Sequence, residues 1–325
     1  MPVSSVAVVG AGVAGLCVAS ELVAAGVNVT LFDKARGPGG RLSSRRFAQE
    51  SAVFDLGAPY FTVSGNDCLT WTDAMQSKGV LECWSASSNG PITNCFVGSP
   101  RMSALTRELS EGINMKPQTR IVFIQRESGF WQLLDQHGAK WGGFDQVVLA
   151  IPPKQALPFV EMYPSVTRIL DGQRLDPAWV VMLSFGRMLP VTNTVMHFSS
   201  GSIERAIRDS SKPGRSSHLD TWILHSSGAW SREHLDVSPA QVLLMLKNEF
   251  KGQIDVKDEP METAVHRWLY ANLPPNAQVP EKSGIEVSDV GLWLAGDWIG
   301  GGGVEGAWRS GHYVATRILE RIAFH

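Results

Sequence analysis

Three glycines near the start of the chain, Gly10, Gly12 and Gly15, limit what it can fold into more than any other feature. They follow a valine-rich apolar run (3–9) and open an alanine-rich segment of helical spacing (16–25) that Gly26 stops. A second apolar run (27–32) ends on Asp33. The spacing predicts strand, tight turn, helix and strand, half of a βαβ unit, with Ala19 and Leu22 at packing positions. Glycines spaced G-x-G-x-x-G let the chain turn sharply, let backbone approach a pyrophosphate, and let a helix pack closely on a strand. The helix start offers N–H groups and partial positive charge to phosphates. Asp33, at the end of the second strand, is placed to accept hydrogen bonds from ribose hydroxyls.

The next residues favour a longer cofactor than NAD. Arg36-Gly37-Pro38-Gly39-Gly40-Arg41 is a second glycine loop directly after the second strand, where a simple NAD dehydrogenase would continue into a crossover helix. Such a loop lets another portion of one long cofactor lie against backbone, with Arg41 near its phosphates or ring. Gly301, Gly303 and Gly306 repeat the glycine spacing, but no second strand and no ribose acid follow them, so they do not predict a separate NAD site.

A chain of 325 residues is expected to form two domains, and 44% hydrophobic with 18% charged residues is the balance of a globular protein. No apolar stretch is long enough to span a membrane and no leader pattern opens the chain, so the expected location is cytoplasmic. A net charge of −2 without basic runs argues against nucleic acid and membrane surfaces as partners, leaving a small molecule. Cys17, Cys68, Cys83 and Cys95 show no CxxC pair and no metal-ligand spacing, which argues against zinc, dithiol chemistry and a disulfide scaffold.

Further along, 102–109 reads as a helix and the runs 119–124, 130–135 and 146–151 as an antiparallel meander. Pro152 and Pro153 mark a boundary. Beyond it lie strands at 179–185, 221–225 and 264–270, a helix at 239–250, a connecting loop at 274–280, a strand at 291–295 and a final helix at 304–322 after four glycines. No repeat of solenoid length is present.

The segments GAGVAGLCVASEL, FDKARGPGGR, FDLGAPYF, LDTWILHSSGAWSREHL, HRWLYA and LAGDWIGGGGVEGAW together resemble the flavin-containing amine oxidase superfamily, in particular its renalase-like branch, across essentially the whole chain. The resemblance implies an α/β protein with a discontinuous FAD-binding Rossmann-type domain (1–60, 98–155 and 285–325) and an α+β substrate domain on a mixed or antiparallel sheet (61–97 and 156–284). It implies that Gly10, Gly12, Val13, Ala14 and Gly15 hold the pyrophosphate, and that Asp33, with Lys34 beside it, holds the adenosine ribose. Gly40, Arg41, Ala58, Pro59 and Tyr60 would flank the flavin, and the Ile121 backbone would meet the adenine. Gly296 and Asp297 would take the ribityl or pyrophosphate portion. Val304, Glu305, Gly306 and Ala307 would bring a helix start to the N1/O2 edge of the ring, where positive charge stabilises the reduced flavin.

Because the last cysteine is Cys95, the FAD is expected to be bound non-covalently. The resemblance implies oxidation of the 2- and 6-dihydro isomers of NAD(P)H by hydride transfer to flavin N5, with O2 reduced to hydrogen peroxide. Hydride loss makes an aromatic pyridinium, so no general base is needed and none is assigned; positioning is expected to supply most of the acceleration. The candidates for the pocket are Tyr60, Trp222, His225, His266, Trp268, Tyr270 and Trp298, an aromatic set suited to a flat ring. For any one tryptophan the plain alternative is core packing, and for each histidine it is a hydrogen-bonded core position. Pro59, where relatives often carry a polar residue, and the glycine run 300–303 depart from the family pattern, which leaves substrate choice open. Two other functions remain: an amine oxidase or desaturase with different pocket chemistry, and a flavin-binding protein without turnover.

Overall fold

The structure is a computed structural model that describes residues 4–47, 53–90, 95–215, 218–287 and 290–323. Two compact units divide the chain: Met1–Gly40, Thr106–Arg174 and Pro275–His325 form the first, Arg41–Leu105 and Leu175–Pro274 the second. The expected functional segments had their borders at 60, 98, 155 and 285 instead.

In the first unit, the described residues form a sheet in the order Ile285–Val287, Leu292–Leu294, Gln146–Leu149, Ser5–Val9, Asn28–Phe32, Asn114–Lys116. Neighbours run parallel except at the edge, where Ile285–Val287 lies antiparallel to Leu292–Leu294. Strands buried on both faces are apolar throughout rather than alternating, as AVV in Ser5–Val9 and VVL in Gln146–Leu149 illustrate. The first helix, Val13–Ala24, begins three residues earlier than its apolar spacing suggested, because Gly12 is already its N-cap. Gly26, at φ +81, turns the chain after it. The long helix Gly303–Ala323 reaches close to the first helix at Gly311, where an added Cβ would stand 2.5 Å from the Ala14 carbonyl oxygen.

Two sequence expectations need correction in this unit. The meander is built from Ile121–Glu127, Phe130–Asp135 and Lys140–Phe144, not from the run near 146. Gln146–Leu149 is buried at every position and pairs in parallel with Ser5–Val9, as a continuous apolar run does best in the centre of a sheet. The strand missed was KWGGF, whose two glycines and exposed lysine hide its period. Pro152 and Pro153 do not end a unit either: they are the N-cap and first residue of the helix Pro153–Val160, a position that proline favours.

The second unit is built on an antiparallel sheet in the order Val195–His197, Ile203–Arg208, Asp220–Ser226, Asp176–Phe185, Glu262–Asn272. One face carries Trp179, Val181, Leu183, Trp222 and Leu224 and is covered by Val242, Leu246 and Phe250 of the helix Pro239–Gln253. The other face carries Val180, Met182 and Ile223 and packs on Phe47, Phe54 and Leu56. Ile203–Arg208 escaped sequence reading because IERAIR places charged residues on both faces. A smaller antiparallel sheet of Phe61–Thr62, Cys95–Gly98 and Leu81–Cys83 accompanies the helix Asn66–Ser77.

Candidate functional site

The three glycines of the opening turn have different tasks. Gly10 adopts φ +109, and a Cβ there would lie 2.4 Å from the Ala150 carbonyl oxygen; at Gly15 it would lie 2.0 Å from the Gly10 carbonyl oxygen. Both are required by packing within the chain. A Cβ at Gly12 would meet no described atom within 4 Å, and its φ of −79 is open to any residue. Nothing within the described chain demands glycine there, and the space beside the bare backbone is open at the helix start, where N–H groups without helical partners attract phosphate. Val13 and Ala14 are the first residues of that helix.

Asp33 closes the corner. Its carboxylate accepts the Ala11 N–H at 2.6 Å and the Ala35 N–H at 2.7 Å, which fixes it beside the glycine turn, and carboxylate oxygens retain capacity for further donors such as ribose hydroxyls. Lys34 donates to Gln155 at 3.3 Å; burial and then Arg120 push its pKa down, against the pull of Asp33. The second glycine loop lies on the first: Gly39 N–H donates to the Ala11 carbonyl at 2.9 Å, and Gly40, at φ +51, would bring a Cβ within 3.2 Å of Gly12 Cα. Two glycine loops, one following each of the first two parallel strands, therefore form one backbone-lined cradle. The same unit holds the first residue of its strand, Ile121, nearly buried.

At the other end of the chain, Gly296 N–H donates to Ser310 Oγ at 2.9 Å and Asp297 opens the short helix Asp297–Gly300. Gly300 and Gly306 pass so closely that a Cβ on Gly300 would stand 1.9 Å from the Gly306 carbonyl oxygen, while Gly301, Gly302 and Gly303 all take positive φ. The run of glycines is thus a backbone requirement that delivers Val304, Glu305, Gly306 and Ala307 as the first turns of the long helix. The Glu305 side chain is held by Arg309 at 3.1 Å, and Arg309 also donates to the Gly300 carbonyl at 2.9 Å. Trp298 is buried, its indole N–H directed at the Ile151 carbonyl at 3.3 Å.

The remaining expected residues belong to the second unit. Arg41 donates to the Ala271 carbonyl at 2.8 Å, Ala58 N–H to the Arg41 carbonyl at 2.8 Å, and Trp268 to the Leu56 carbonyl at 3.0 Å, tying the segment around Ala58 and Pro59 to the edge strand of the sheet. Gly57 makes this possible, since a Cβ would fall 1.8 Å from the Arg41 carbonyl oxygen. Tyr60 packs its ring on Trp84, with centroids 5.7 Å apart. His225 and His266 both stand opposite Val180 in the register, so they share the face toward Phe47, Phe54 and Leu56, and His266 meets Trp268 edge to face at 4.4 Å. Tyr270 follows Trp268 where the register shifts, half-buried. Burial, then Arg205 and Lys212, push the His225 pKa far down; burial and Arg45 lower that of His266. Both rings are neutral near pH 7.

The structure does not bring Trp222 to this group. It is fully buried on the opposite face, against Phe250 at 5.2 Å, with the Arg208 guanidinium 4.7 Å from its ring. The reason is parity: positions 222 and 225 on one strand point to opposite faces. Sequence reading also missed a buried ion cluster just before Ala58. Asp55 receives Lys212 at 3.0 Å, Arg215 at 2.5 Å, the Met102 N–H at 2.9 Å and Ser44 at 2.8 Å, and Lys212 also binds Asp209. Burial opposes charge on Asp55, but Lys212, Arg215 and these bonds outweigh it and hold the carboxyl below its usual range; burial pushes Asp209 up to about 6. Asp55, Asp209 and Lys212 carried no expected role, and no local signal around Lys212 points inward. Among the described residues no helix is long and apolar enough to cross a membrane.

Comparison with known proteins accounts for the cradle. Residues 8–73 match the NAD(P)-binding Rossmann-like domain, and residues 92–319 match the flavin containing amine oxidoreductase family. The fold is similar to a protein from Exiguobacterium sp. 255-15 described as a protoporphyrinogen oxidase, with a TM-score of 0.79 at 14% identity over 98% of this chain and 100% of that one. It is also similar to a double mutant of a putrescine oxidase redesigned in its cofactor binding, with a TM-score of 0.71 at 12% identity over the same shares of the two chains. A cradle of two glycine loops with an acid at its rim, in a chain matched by these families over most of its length, fits a long dinucleotide: the chain belongs to the flavin containing amine oxidoreductase family, and its cofactor is FAD.

Proposed function

We propose that this chain oxidises a flat, reduced nitrogen ring of the dihydronicotinamide type, the 2- and 6-dihydro isomers of NAD(P)H, to NAD(P)+, with O2 as the final acceptor and hydrogen peroxide as its product. When bound, non-covalently, FAD supplies the hydride acceptor. In this reading Gly10, Gly12, Val13, Ala14 and Gly15 hold its pyrophosphate, Asp33 its ribose with Lys34 alongside, and Ile121 its adenine. Gly40, Arg41, Ala58, Pro59 and Tyr60 flank the ring system; Gly296, Asp297, Val304, Glu305, Gly306 and Ala307 bind from the C-terminal segment. Trp298 and Tyr60 are the aromatic residues next to flavin motifs, and His225, His266, Trp268 and Tyr270 belong to the substrate wall.

The observation that carries this reading is the chemistry of the sheet face. It presents two neutral histidines and an indole edge, with Arg205, Arg45 and Lys212 close enough to depress the histidine pKa values. Such a wall suits a neutral, flat dihydropyridine ring with a polar substituent and repels an ammonium ion. Loss of hydride from a dihydropyridine creates an aromatic cation without any proton transfer, so the absence of an assigned base is no obstacle. Binding and orientation are what these residues would contribute.

One feature favours the amine reading instead. Glu262 is on the same face, opposite Ser184, and its Oε2 has no hydrogen-bond partner among the described residues. It is four residues from His266, about 13 Å along the strand. Anaerobic mixing of the FAD-loaded protein with 2-, 4- and 6-dihydronicotinamide nucleotides and with a panel of amines separates the functions. Rapid loss of flavin absorbance with the 2- or 6-dihydro forms is expected; bleaching by amines alone would overturn the proposal, and a yellow protein that no donor bleaches would make it a flavin-binding protein without turnover.

A further inference from the structure

Arg205, His225, Val180 and His266 stand in one row across four neighbouring strands, so their side chains share one face. His225 is 4% exposed, and among the described residues its Nε2 and the inaccessible Arg205 Nε have no hydrogen-bond partner. Arg205 also forms no ion pair with a described carboxylate. Arg208, three residues on, faces the helix-covered side: its Nε also makes no hydrogen bond, but it forms an ion pair with Asp220 at 3.0 Å and its other donors reach Val191, Leu189 and Asp220. Buried polar atoms left unpaired side by side are uncommon in folded proteins and mark places where a ligand completes the bonding. The guanidinium has donors only, so the partner that Arg205 Nε lacks is an acceptor; His225 Nε2 donates or accepts according to its tautomer.

We propose that Arg205, with His225 beside it, determines specificity by recognising a planar carbonyl or carboxylate oxygen carried on the reacting ring of the substrate. This rests on the dihydropyridine reading above and adds to it a residue and a contact. A carboxylate gains a charge-assisted bond from Arg205, a carboxamide a weaker one, and a protonated amine is repelled.

Calorimetric titration of the FAD-loaded full chain with nicotinate, nicotinamide and benzylamine tests the assignment. Wild type is expected to bind both pyridines and to bind benzylamine more weakly. Arg205→Met should weaken nicotinate at least tenfold and nicotinamide about threefold, and Arg205→Lys should recover most of the nicotinate affinity, with FAD content unchanged in both. Affinities within twofold of wild type in Arg205→Met, wild-type binding of neither pyridine, or tighter binding of benzylamine than of nicotinate would each overturn it. Bleaching by dihydronicotinamide isomers, followed in parallel, keeps the two ideas apart. Bleaching with an indifferent Arg205→Met removes only the role of Arg205; Arg205-dependent nicotinate binding without bleaching removes the reaction and leaves the recognition standing.

Discussion

The glycine corner of the first unit and the histidine-bearing sheet face of the second make their surfaces by opposite means. At the corner the surface is backbone, and it exists because Gly10 and Gly15 remove Cβ atoms that would collide with Ala150 and Gly10, while Gly12 leaves its space empty. On the sheet the surface is side chains, and which of them take part depends on strand parity and register: His225 faces one way and Trp222 the other. A backbone surface tolerates almost no substitution but is set by local sequence. A side-chain surface is freely variable and is set by distant partners.

The comparison can be strained at several points. The largest effect is expected at the ion cluster under the sheet face: Lys212→Met leaves Asp55 and Asp209 buried without their shared cation and should cost about 3–5 kcal/mol in urea unfolding. Next come the glycines. Gly15→Ala should cost about 1–3 kcal/mol, since its Cβ has backbone for a neighbour. Gly12→Ala should stay within about 1 kcal/mol of wild-type stability yet weaken FAD binding at least tenfold, measured by fluorescence titration of the apoprotein. Asp33→Ala should weaken it comparably; a protein that retains FAD as tightly as wild type would remove Asp33 from the site.

The two tryptophans sharpen the other side. Trp222→Phe should lower stability by about 1–2 kcal/mol and leave nicotinamide affinity unchanged, whereas Trp268→Phe, which also loses the bond to Leu56, should weaken nicotinamide binding, judged by denaturation and calorimetry on the same preparations. The smallest effect is a pH dependence. Burial raises the Asp209 carboxyl from 3.8 to about 6, so the folded protein holds that proton more tightly than the unfolded chain does. Its contribution to stability is therefore present at low pH and is lost as pH rises from about 4 to 6. Asp55, held below its ordinary value, works in the opposite sense, losing its contribution as pH falls below about 4. Asp209→Asn should remove the slope of the urea midpoint between pH 4 and 6, and an unchanged slope would refute the assignment.

Much of the first unit was legible in advance because its signals are local. A glycine spacing, an apolar run on either side and an acid at a strand end are all contained within 33 residues, and each reflects a constraint that neighbours in sequence impose. The same is true of the final strand, the glycine run and the long helix. What misled were segments whose role depends on where they are placed. Gln146–Leu149 reads equally well as the end of a meander or the middle of a parallel sheet, and only burial on both faces decides. Lys212 and Asp209 carry no local sign of burial, and Asp55, more than 150 residues away in sequence, pairs with Lys212 in the interior.

By itself the sequence determined the dinucleotide corner, because tight turns and close backbone approach admit glycine and little else, and that restriction is written in the residues themselves. Tertiary structure alone decided which side chains share a sheet face, grouping Arg205, His225 and His266 and placing Trp222 on the other side. The physical reason is that a strand offers its residues alternately to two faces, and which face meets a ligand and which meets a helix is fixed by packing across the sheet, not by the order of residues along it.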